Sequence, residues 1–380
     1  MKQAWPLVRL GDVLLRHKDG LDIEEEEEYT RLTIRMNGQG VGVRDKVCGR
    51  EIGTKRQFRV KAGQFLLSKI DARNGAFGLV PNDCDEAIVT GNFWAFDISS
   101  DRVVPRFIEL LTKTTLFVDY SIKASSGTTN RLYLQEEKFA EQQIELPPIE
   151  EQIKIVARID AVQQRMQAAD KLRVSIDREI ASLLAVRFQE TLTHAKWLPM
   201  NEVAPIVRRD VTVNHQSNYA ELGIRSFGKG TFHKPTLSGL ELGDKRVYRI
   251  EPGDLLFSNV FAWEGAIAVA QPEDSGRVGS HRFISCVPHD GLTTAEYLRY
   301  YFLTDAGMTK IRDASPGGAG RNRTLGLSKL MDLDVPIPSI EVRKSFVDLL
   351  RLMNASRLIR GKELSENESV VPALVKRLMA

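Results

Sequence analysis

The chain has 380 residues, of which 42% are hydrophobic and 27% charged, with a formal net charge of +3 at pH 7. No apolar run approaches the roughly 18 residues that cross a bilayer, and the segment MKQAWPLVRL lacks the apolar core of a signal peptide. We therefore expect a cytoplasmic protein with no membrane partner. Cys48, Cys84 and Cys286 are odd in number and far apart, which disfavours a disulfide framework or a structural zinc.

The chain repeats itself with a period near 190 residues. YTRLTIRMNGQG, from Tyr29, aligns with YAELGIRSFGKG, from Tyr219, and FRVKAGQFLLSKIDARNGA, from Phe58, aligns with YRIEPGDLLFSNVFAWEGA, from Tyr248. After one inserted residue, IELPPIEEQIKIV (144–156) aligns with VPIPSIEVRKSFV (335–347). A register that holds across so much of the chain indicates a tandem duplication of two large units rather than a solenoid of short repeats.

Each copy begins with a segment of short strands and glycines, at residues 1–148 and 195–338. The strand patterns are RLTIRM, GQFLLSKI and FWAFDI in the first copy, and AELGIRSF, GDLLFSNV and RFISCV in the second. A short helix is predicted next, over 106–122 and 296–311, followed by a Gly/Ser turn and a strand that ends in proline. The fold class predicted is α+β, with two domains of mixed structure.

A long helix closes each copy, over 149–194 and 339–380. Pro147 and Pro148 favour extended backbone, and Glu150 and Glu151 place negative charge on the first turn of a helix, so this stretch is a strand-to-helix joint. The first helix has no proline or glycine from Glu150 to Thr193 and would be roughly 65 Å long. The second contains Gly361 and Pro372, where we expect a bend or a split.

Apolar residues recur along both long helices at helical spacing, and a helix with such a stripe needs a partner. If the copies are related by an approximate two-fold axis, the helices pair as an antiparallel coiled coil that separates the two domains. The alternative is that each helix packs only on the sheet of its own copy.

No catalytic motif is found in the sequence. The six histidines show no HExxH spacing, and neither GxxxxGK[ST] nor GxGxxG occurs. The segment NGQGVG comes closest to a phosphate loop, but its copy, FGKGTF, loses the third glycine. Asp71 with Asp83 or Asp85 could suggest a metal site, but the second copy does not keep the pair. We expect no catalytic residue and no metal.

Cationic and polar loop residues occur at matched places in the two copies. Arg pairs well with guanine and Asn with adenine, whereas backbone N–H groups of Gly-rich loops suit phosphates. The framework glycines and apolar residues coincide, while the loop side chains differ, as expected for two readers of different DNA sequences on one scaffold. Solvated turns are the alternative. The candidate DNA-binding residues are Lys69, Arg73, Asn74, Asn130 and Arg131 in the first copy, and Asn259, Trp263, Arg321, Asn322 and Arg323 in the second.

The acidic run Glu24–Glu28 aligns with the uncharged segment 214–218 of the second copy. Such a run should face away from DNA, or toward a basic partner protein, or simply be solvated.

The segment Leu146-Pro147-Pro148-Ile149-Glu150-Glu151-Gln152 resembles the LPPxxEQ signature of the specificity subunits of type I restriction-modification systems. The second copy, from Ile337 to Arg343, lacks the second proline and the glutamine. The doubled domain-plus-helix arrangement is similar to that family across essentially the whole chain.

The resemblance implies a non-catalytic specificity subunit whose domains each recognise one half of a bipartite target, with the helices setting the spacer. It implies double-stranded DNA, two adenine-methyltransferase subunits and nuclease-translocase subunits as partners. S-adenosylmethionine, ATP and Mg would belong to those partners, so no cofactor is expected here. The alternatives are a nuclease or methyltransferase acting alone, and a stand-alone DNA-binding or anti-restriction protein on the same scaffold.

Overall fold

The computed structural model describes residues 5–128, 131–318, 323–367 and 370–379. The chain forms two compact units. Unit 1 comprises Met1–Arg173 and Arg360–Ala380, and unit 2 comprises Val174–Ile359. Both long helices are divided between the units.

Unit 1 contains a five-stranded sheet, a four-stranded sheet and two two-stranded sheets, with strand orders β3-β6-β9-β4-β5, β2-β10-β7-β8, β1-β13 and β11-β12. Its strands are β1 (Leu7–Arg9), β2 (Leu14–His17), β3 (Asp19–Asp22), β4 (Glu28–Arg35), β5 (Gly40–Cys48), β6 (Arg56–Val60), β7 (Phe65–Ser68), β8 (Phe77–Leu79), β9 (Ala87–Val89), β10 (Phe93–Ile98), β11 (Ser125–Thr128), β12 (Arg131–Leu134) and β13 (Gln143–Glu145). Its helices are α1 (Pro105–Leu111), α2 (Thr115–Lys123), α3 (Glu136–Ala140) and the start of α4 (Ile149–Leu192).

Unit 2 repeats this plan, with strand orders β15-β18-β21-β16-β17, β20-β19-β22 and β14-β23. Its strands are β14 (Lys196–Pro199), β15 (Asp210–Val211), β16 (Asn218–Ile224), β17 (Thr231–Ser238), β18 (Val247–Arg249), β19 (Leu255–Ser258), β20 (Ile267–Val269), β21 (Val278–Ser280), β22 (Phe283–Cys286) and β23 (Asp334–Ile337). Its helices are α5 (Met200–Val203), α6 (Gly239–Leu242), α7 (Ala295–Phe302), α8 (Asp305–Asp313), α9 (Leu327–Met331) and most of α10 (Ile340–Asn367); α11 (Val370–Met379) belongs to unit 1.

The duplication extends to backbone detail. The five-stranded sheets have the same strand order, and the register of the β4–β5 and β16–β17 pairs shifts at corresponding places. Glycines with positive φ recur at the 190-residue shift: Gly38 with Gly228, Gly40 with Gly230, and Gly75 with Gly265. The α+β fold of two tandem domains, predicted from the sequence, is therefore confirmed.

In each unit, one strand is buried on both faces: β7 in the four-stranded sheet of unit 1 and β19 in the three-stranded sheet of unit 2. Phe65 and Leu67 of β7 point into a core that includes α1, α2 and α4, whereas Leu66 points into a core shared with β4. Leu255 and Leu256 of β19 divide in the same way between two cores of unit 2. The alternation follows from the two-residue period of a strand, and it explains why these segments are continuously apolar.

Three local predictions need correction. The single short helix expected in each copy is two helices, α1 with α2 and α7 with α8, because the chain turns between them; Thr304 caps the second of these in unit 2 by accepting from the Gly307 N–H. The Gly/Ser segment of the first copy, expected as a turn, lies mostly in the paired strands β11 and β12. Helix α10 continues through Gly361 without a split, and Pro372 lies in α11. Residues 368–369 lie outside the described ranges, so the bend or split expected near Pro372 stays a prediction.

Each unit packs the start of one long helix with the end of the other. Ile155 and Ile159 of α4 share the main core of unit 1 with Val375 of α11. Leu184 and Phe188 of α4 share the main core of unit 2 with Phe346 of α10. The alternative, in which each helix packs only on its own copy, does not produce these shared cores.

The joint that opens α4 is fixed by a buried side chain. Gln152 is fully buried; its amide nitrogen donates to the carbonyl oxygens of Arg102 (2.9 Å) and Pro147 (2.8 Å). Its amide oxygen accepts from the Val104 N–H at 2.9 Å. The glutamine of the LPPxxEQ segment therefore ties the start of the long helix to the loop before α1.

The corresponding residue at the second joint is Arg343, which is 6% exposed. Its guanidinium donates to the carbonyl oxygens of Leu292 and Gly291, the latter at 3.1 Å. Leu292 corresponds to Arg102 of the first copy, so an arginine performs here the task that a glutamine performs there. Burial lowers the pKa of Arg343.

Candidate nucleic-acid interface

Three segments of unit 1 come together on one surface, which we call loop face 1: the turn 36–39, the segment 69–75, and the paired strands β11 and β12. The Asn37 N–H donates to the Asn74 carbonyl oxygen (2.8 Å), and the Gly38 N–H donates to that of Gly75 (3.0 Å). The Leu134 N–H donates to the Lys69 carbonyl oxygen at 2.8 Å. Main-chain bonds therefore hold the two loops proposed from the sequence beside a third, the 36–39 turn.

Gly75 explains how closely these loops approach. Its φ is 75°, a left-handed conformation that favours glycine. A Cβ atom at this position would lie 3.0 Å from the Gly38 nitrogen and 3.2 Å from the Asn37 Cα. The glycine shared by both copies is thus needed for the contact between the loops.

The predicted residues of the first copy lie on or next to loop face 1. Asn74 is exposed, with its amide nitrogen 3.4 Å from Asp71 Oδ1, whereas Lys69 and Arg73 are half-buried. Arg131 begins β12, but its side chain lies outside what the structure describes. Asn130 lies outside the described residues.

Loop face 2 is the corresponding surface of unit 2, formed by 226–230, 259–265 and the described parts of 314–326. The Phe227 N–H donates to the Glu264 carbonyl oxygen (2.9 Å), and the Gly228 N–H donates to that of Gly265 (2.8 Å). The Leu325 N–H donates to the Asn259 carbonyl oxygen at 2.8 Å. These are the same three main-chain connections as on loop face 1.

The predicted side chains of the second copy have partners within the chain. The Asn259 amide nitrogen donates to the Leu325 carbonyl oxygen at 2.7 Å, and Trp263 Nε1 donates to that of Val260 at 2.9 Å. The Arg323 guanidinium lies over the Trp263 ring, 5.4 Å from its centroid, and donates through Nε to the Ser315 carbonyl oxygen. Arg321 and Asn322 lie outside the described residues. Asn259 therefore holds the loop together, and Arg323 with Trp263 forms a stacked pair.

Sequence reasoning missed the turn that carries Asn37 in unit 1 and Phe227 in unit 2. Arg299 supports this turn from beneath in unit 2, donating to the Gly228 carbonyl oxygen at 2.5 Å. Burial lowers the pKa of Arg299. The aligned turns MNGQ and SFGK could have indicated this site, because a glycine shared by both copies directly follows a side chain that differs, Asn37 or Phe227.

The acidic run Glu24–Glu28 is exposed and precedes or begins β4, whereas the 36–39 turn follows the other end of that strand. Seven steps of 3.3 Å separate Glu28 from Arg35 by about 23 Å. Lys55 lies 3.4 Å from a Glu25 carboxylate oxygen at the acidic end. Unit 1 therefore carries its acidic run away from loop face 1.

Among the residues that the structure describes, no group of three or more His, Cys, Asp or Glu is placed to hold a metal ion. No helix in the described ranges combines the length and apolar character that a membrane span requires.

The chain is similar to one protein family and to several solved structures. Residues 2–176 match the type I restriction modification DNA specificity domain. The HsdS subunit from Thermoanaerobacter tengcongensis is 18% identical, with a TM-score of 0.61, covering 100% of this chain and 97% of its own. A chain from a structure of type I R-M complex assembly and conformational transition is also 18% identical, with a TM-score of 0.68 and coverage of 100% and 98%. No curated protein sequence matches.

Proposed function

We propose that both units read DNA, each recognising one half of a bipartite target, because residues 2–176 match the type I restriction modification DNA specificity domain. The second half of the chain has the same strand order in its five-stranded sheet and the same loop connections as the first. Loop face 1 would contact one half-site and loop face 2 the other.

The observation that carries this proposal is that the two loop faces share their main-chain hydrogen bonds but differ in their side chains. The three main-chain connections of the loop faces are the same in both units. The side chains on that frame differ: Arg73 occupies the place of Trp263, and Asn74 that of Glu264. Base edges are distinguished by side chains, whereas a shared backbone gives a shared position on the duplex.

The long helices would set the spacer between the half-sites. Helix α4 has 44 residues, which corresponds to about 66 Å or close to two turns of B-form DNA. A helix of this length can act as a fixed spacer because it has no proline or glycine inside it.

We assign the docking of methyltransferase subunits to the long helices, because they expose large apolar side chains. Nuclease-translocase subunits would join through the methyltransferase assembly. S-adenosylmethionine, ATP and Mg would be bound by those partners. The exposed apolar residues of the long helices include Leu172, Val174, Leu183 and Val186 on α4, and Leu352, Leu358 and Ile359 on α10.

Arginine substitutions on the two loop faces test the proposal. Arg73→Ala should relax one half-site only, and Arg323→Ala the other, because each residue contributes to a different loop face. A bidentate base contact is worth about 1–3 kcal/mol of discrimination against the wrong base. The measurement is selection of bound sequences from random duplexes by the full chain with its methyltransferase partner.

Arg50→Ala is the matched control, because Arg50 is exposed and follows the end of β5 that lies away from loop face 1. It removes the same charge and should leave both half-sites unchanged. The full chain without a partner should transfer no methyl group from labelled S-adenosylmethionine to DNA. Uniformly weaker binding with an unchanged motif in both loop-face variants would assign these arginines to phosphate.

A further inference from the structure

We propose that Phe227 is a specificity-determining residue whose ring packs on a base of the half-site bound by unit 2, and that Asn37 is its polar counterpart in unit 1. This inference rests on the proposed DNA binding and adds a residue that recognises the target through an apolar contact. The ligand chemistry is the apolar surface of a nucleobase: either its stacked face or a thymine methyl group.

Phe227 is exposed to a degree that folding does not explain. Its side chain is 75% exposed, the largest value for a large hydrophobic residue in the described part of the chain. It lies at the tip of the turn between β16 and β17, on loop face 2. An isolated exposed apolar residue is common in soluble proteins, so exposure alone carries little weight.

The backbone at Phe227 provides an independent observation. Its φ is 60°, a left-handed conformation that is uncommon for residues other than glycine and favours Asn or Asp among them. Asn37 has a φ of 59° at the corresponding position, which suits its side chain. A phenylalanine costs folding free energy there, and residues held in such conformations cluster at functional sites.

The turn is held rigidly although its tip is exposed. Main-chain bonds connect Phe227 and Gly228 to the 259–265 segment, and Arg299 donates to the Gly228 carbonyl oxygen from below. The Ser226 hydroxyl donates to a Glu264 carboxylate oxygen at 3.0 Å. The ring is therefore presented at a fixed place, which lowers the entropic cost of using it in binding.

The charges around Phe227 favour DNA as the partner. Lys229 Nζ lies 5.8 Å from the centroid of the Phe227 ring. Arg225 is exposed at the start of the same turn, with its guanidinium over the Phe232 ring and donating to the Thr231 carbonyl oxygen. The nearby acidic side chain, Glu264, is half-buried and accepts from Ser226. An apolar ring beside an exposed lysine fits a base next to a phosphate: aromatic residues stack on bases or contact the thymine methyl, while lysine contacts the backbone.

The test replaces Phe227 by the residue of the other unit. Phe227→Asn in the full chain should weaken binding to the selected bipartite duplex on the order of 10-fold and change the preferred base at one position of one half-site. Its thermal midpoint should stay the same or rise, because asparagine tolerates the left-handed conformation. The reciprocal variant, Asn37→Phe, should change one position of the other half-site.

Leu240→Asn is the control: Leu240 is 72% exposed and lies in α6, at the far end of the same hairpin. It should leave affinity and motif unchanged. Deoxyuridine in place of thymine, or 2-aminopurine at the affected position, distinguishes a methyl contact from stacking. If Phe227→Asn behaves like Leu240→Asn while the wild-type chain selects a bipartite motif, this inference alone fails. If the wild-type chain selects no motif, the proposed function fails with it.

Discussion

At the scale of single residues, Gln152 and Arg343 show that different side chains can hold the same joint. Gln152 satisfies one N–H and two carbonyl oxygens around the start of α4, and Arg343 satisfies two carbonyl oxygens around the start of α10. Compared as letters, the second copy has lost part of the signature. The hydrogen bonds to the carbonyl oxygens are nevertheless kept, because the guanidinium of Arg343 donates where the amide of Gln152 donates in the first copy.

We expect Gln152→Ala to lower the free energy of unfolding of unit 1 by about 1–3 kcal/mol, because its buried partners would lose their hydrogen bonds. Lys154→Ala, at an exposed position two residues further along α4, should change it by less than about 0.5 kcal/mol. Urea titration followed by circular dichroism measures both. Equal effects of the two substitutions would show that Gln152 does not fix the joint.

At the scale of elements, the long helices and the doubled domains could be predicted from the sequence. The spacing of apolar residues and the 190-residue repeat are both visible in the amino-acid sequence without any knowledge of tertiary contacts. The main strands were also predicted, since β7 and β19 are short apolar runs. The approach of the 36–39 turn to the 69–75 segment could not be predicted, because it depends on tertiary main-chain bonds between residues more than 30 positions apart. For the same reason, the sequence did not show that Asn259 would bond to Leu325.

A four-residue insertion near Ala168, in the middle of α4, should change the length of the spacer and leave both half-sites unchanged. The insertion adds about 6 Å of helix without touching either loop face. Sequencing the methylated sites of the variant complex measures both quantities. An unchanged spacer would show that the helix does not set the distance.

At the scale of the whole molecule, the two units share a scaffold but differ in what they bury. Unit 2 buries Tyr297 and Tyr301 in α7, where the 190-residue shift places Phe107 and Leu111 of unit 1. Burial raises the pKa of each of these tyrosines to about 12. The folded unit holds these phenols in their neutral form. Once the same phenols ionise in the unfolded chain, unfolding becomes more favourable.

We therefore expect unit 2 to lose stability as pH rises from about 10 to about 12, because in that range the unfolded chain releases tyrosine protons that the folded unit retains. Cys84 of unit 1 and Cys286 of unit 2 are buried and serve as reporters. Relative to the denatured chain, labelling of Cys286 should accelerate more steeply with pH than labelling of Cys84. Tyr297→Phe should reduce the difference between the two cysteines. If Cys286 and Cys84 accelerate equally with pH in the wild-type chain, and equally in Tyr297→Phe, the explanation is contradicted.

The division of the long helices between the units has a consequence for the order of synthesis on the ribosome. Unit 2 is one continuous stretch, Val174–Ile359, whereas unit 1 includes residues from Arg360 onward. Val375, which is 2% exposed in the main core of unit 1, is translated only after every residue of unit 2. The nascent first copy must therefore wait, with part of its apolar core open, while the second copy is made and can fold. A ribosome that stalls anywhere before residue 375 releases a chain whose first copy still exposes the surface that α11 covers, and such a surface is prone to aggregation.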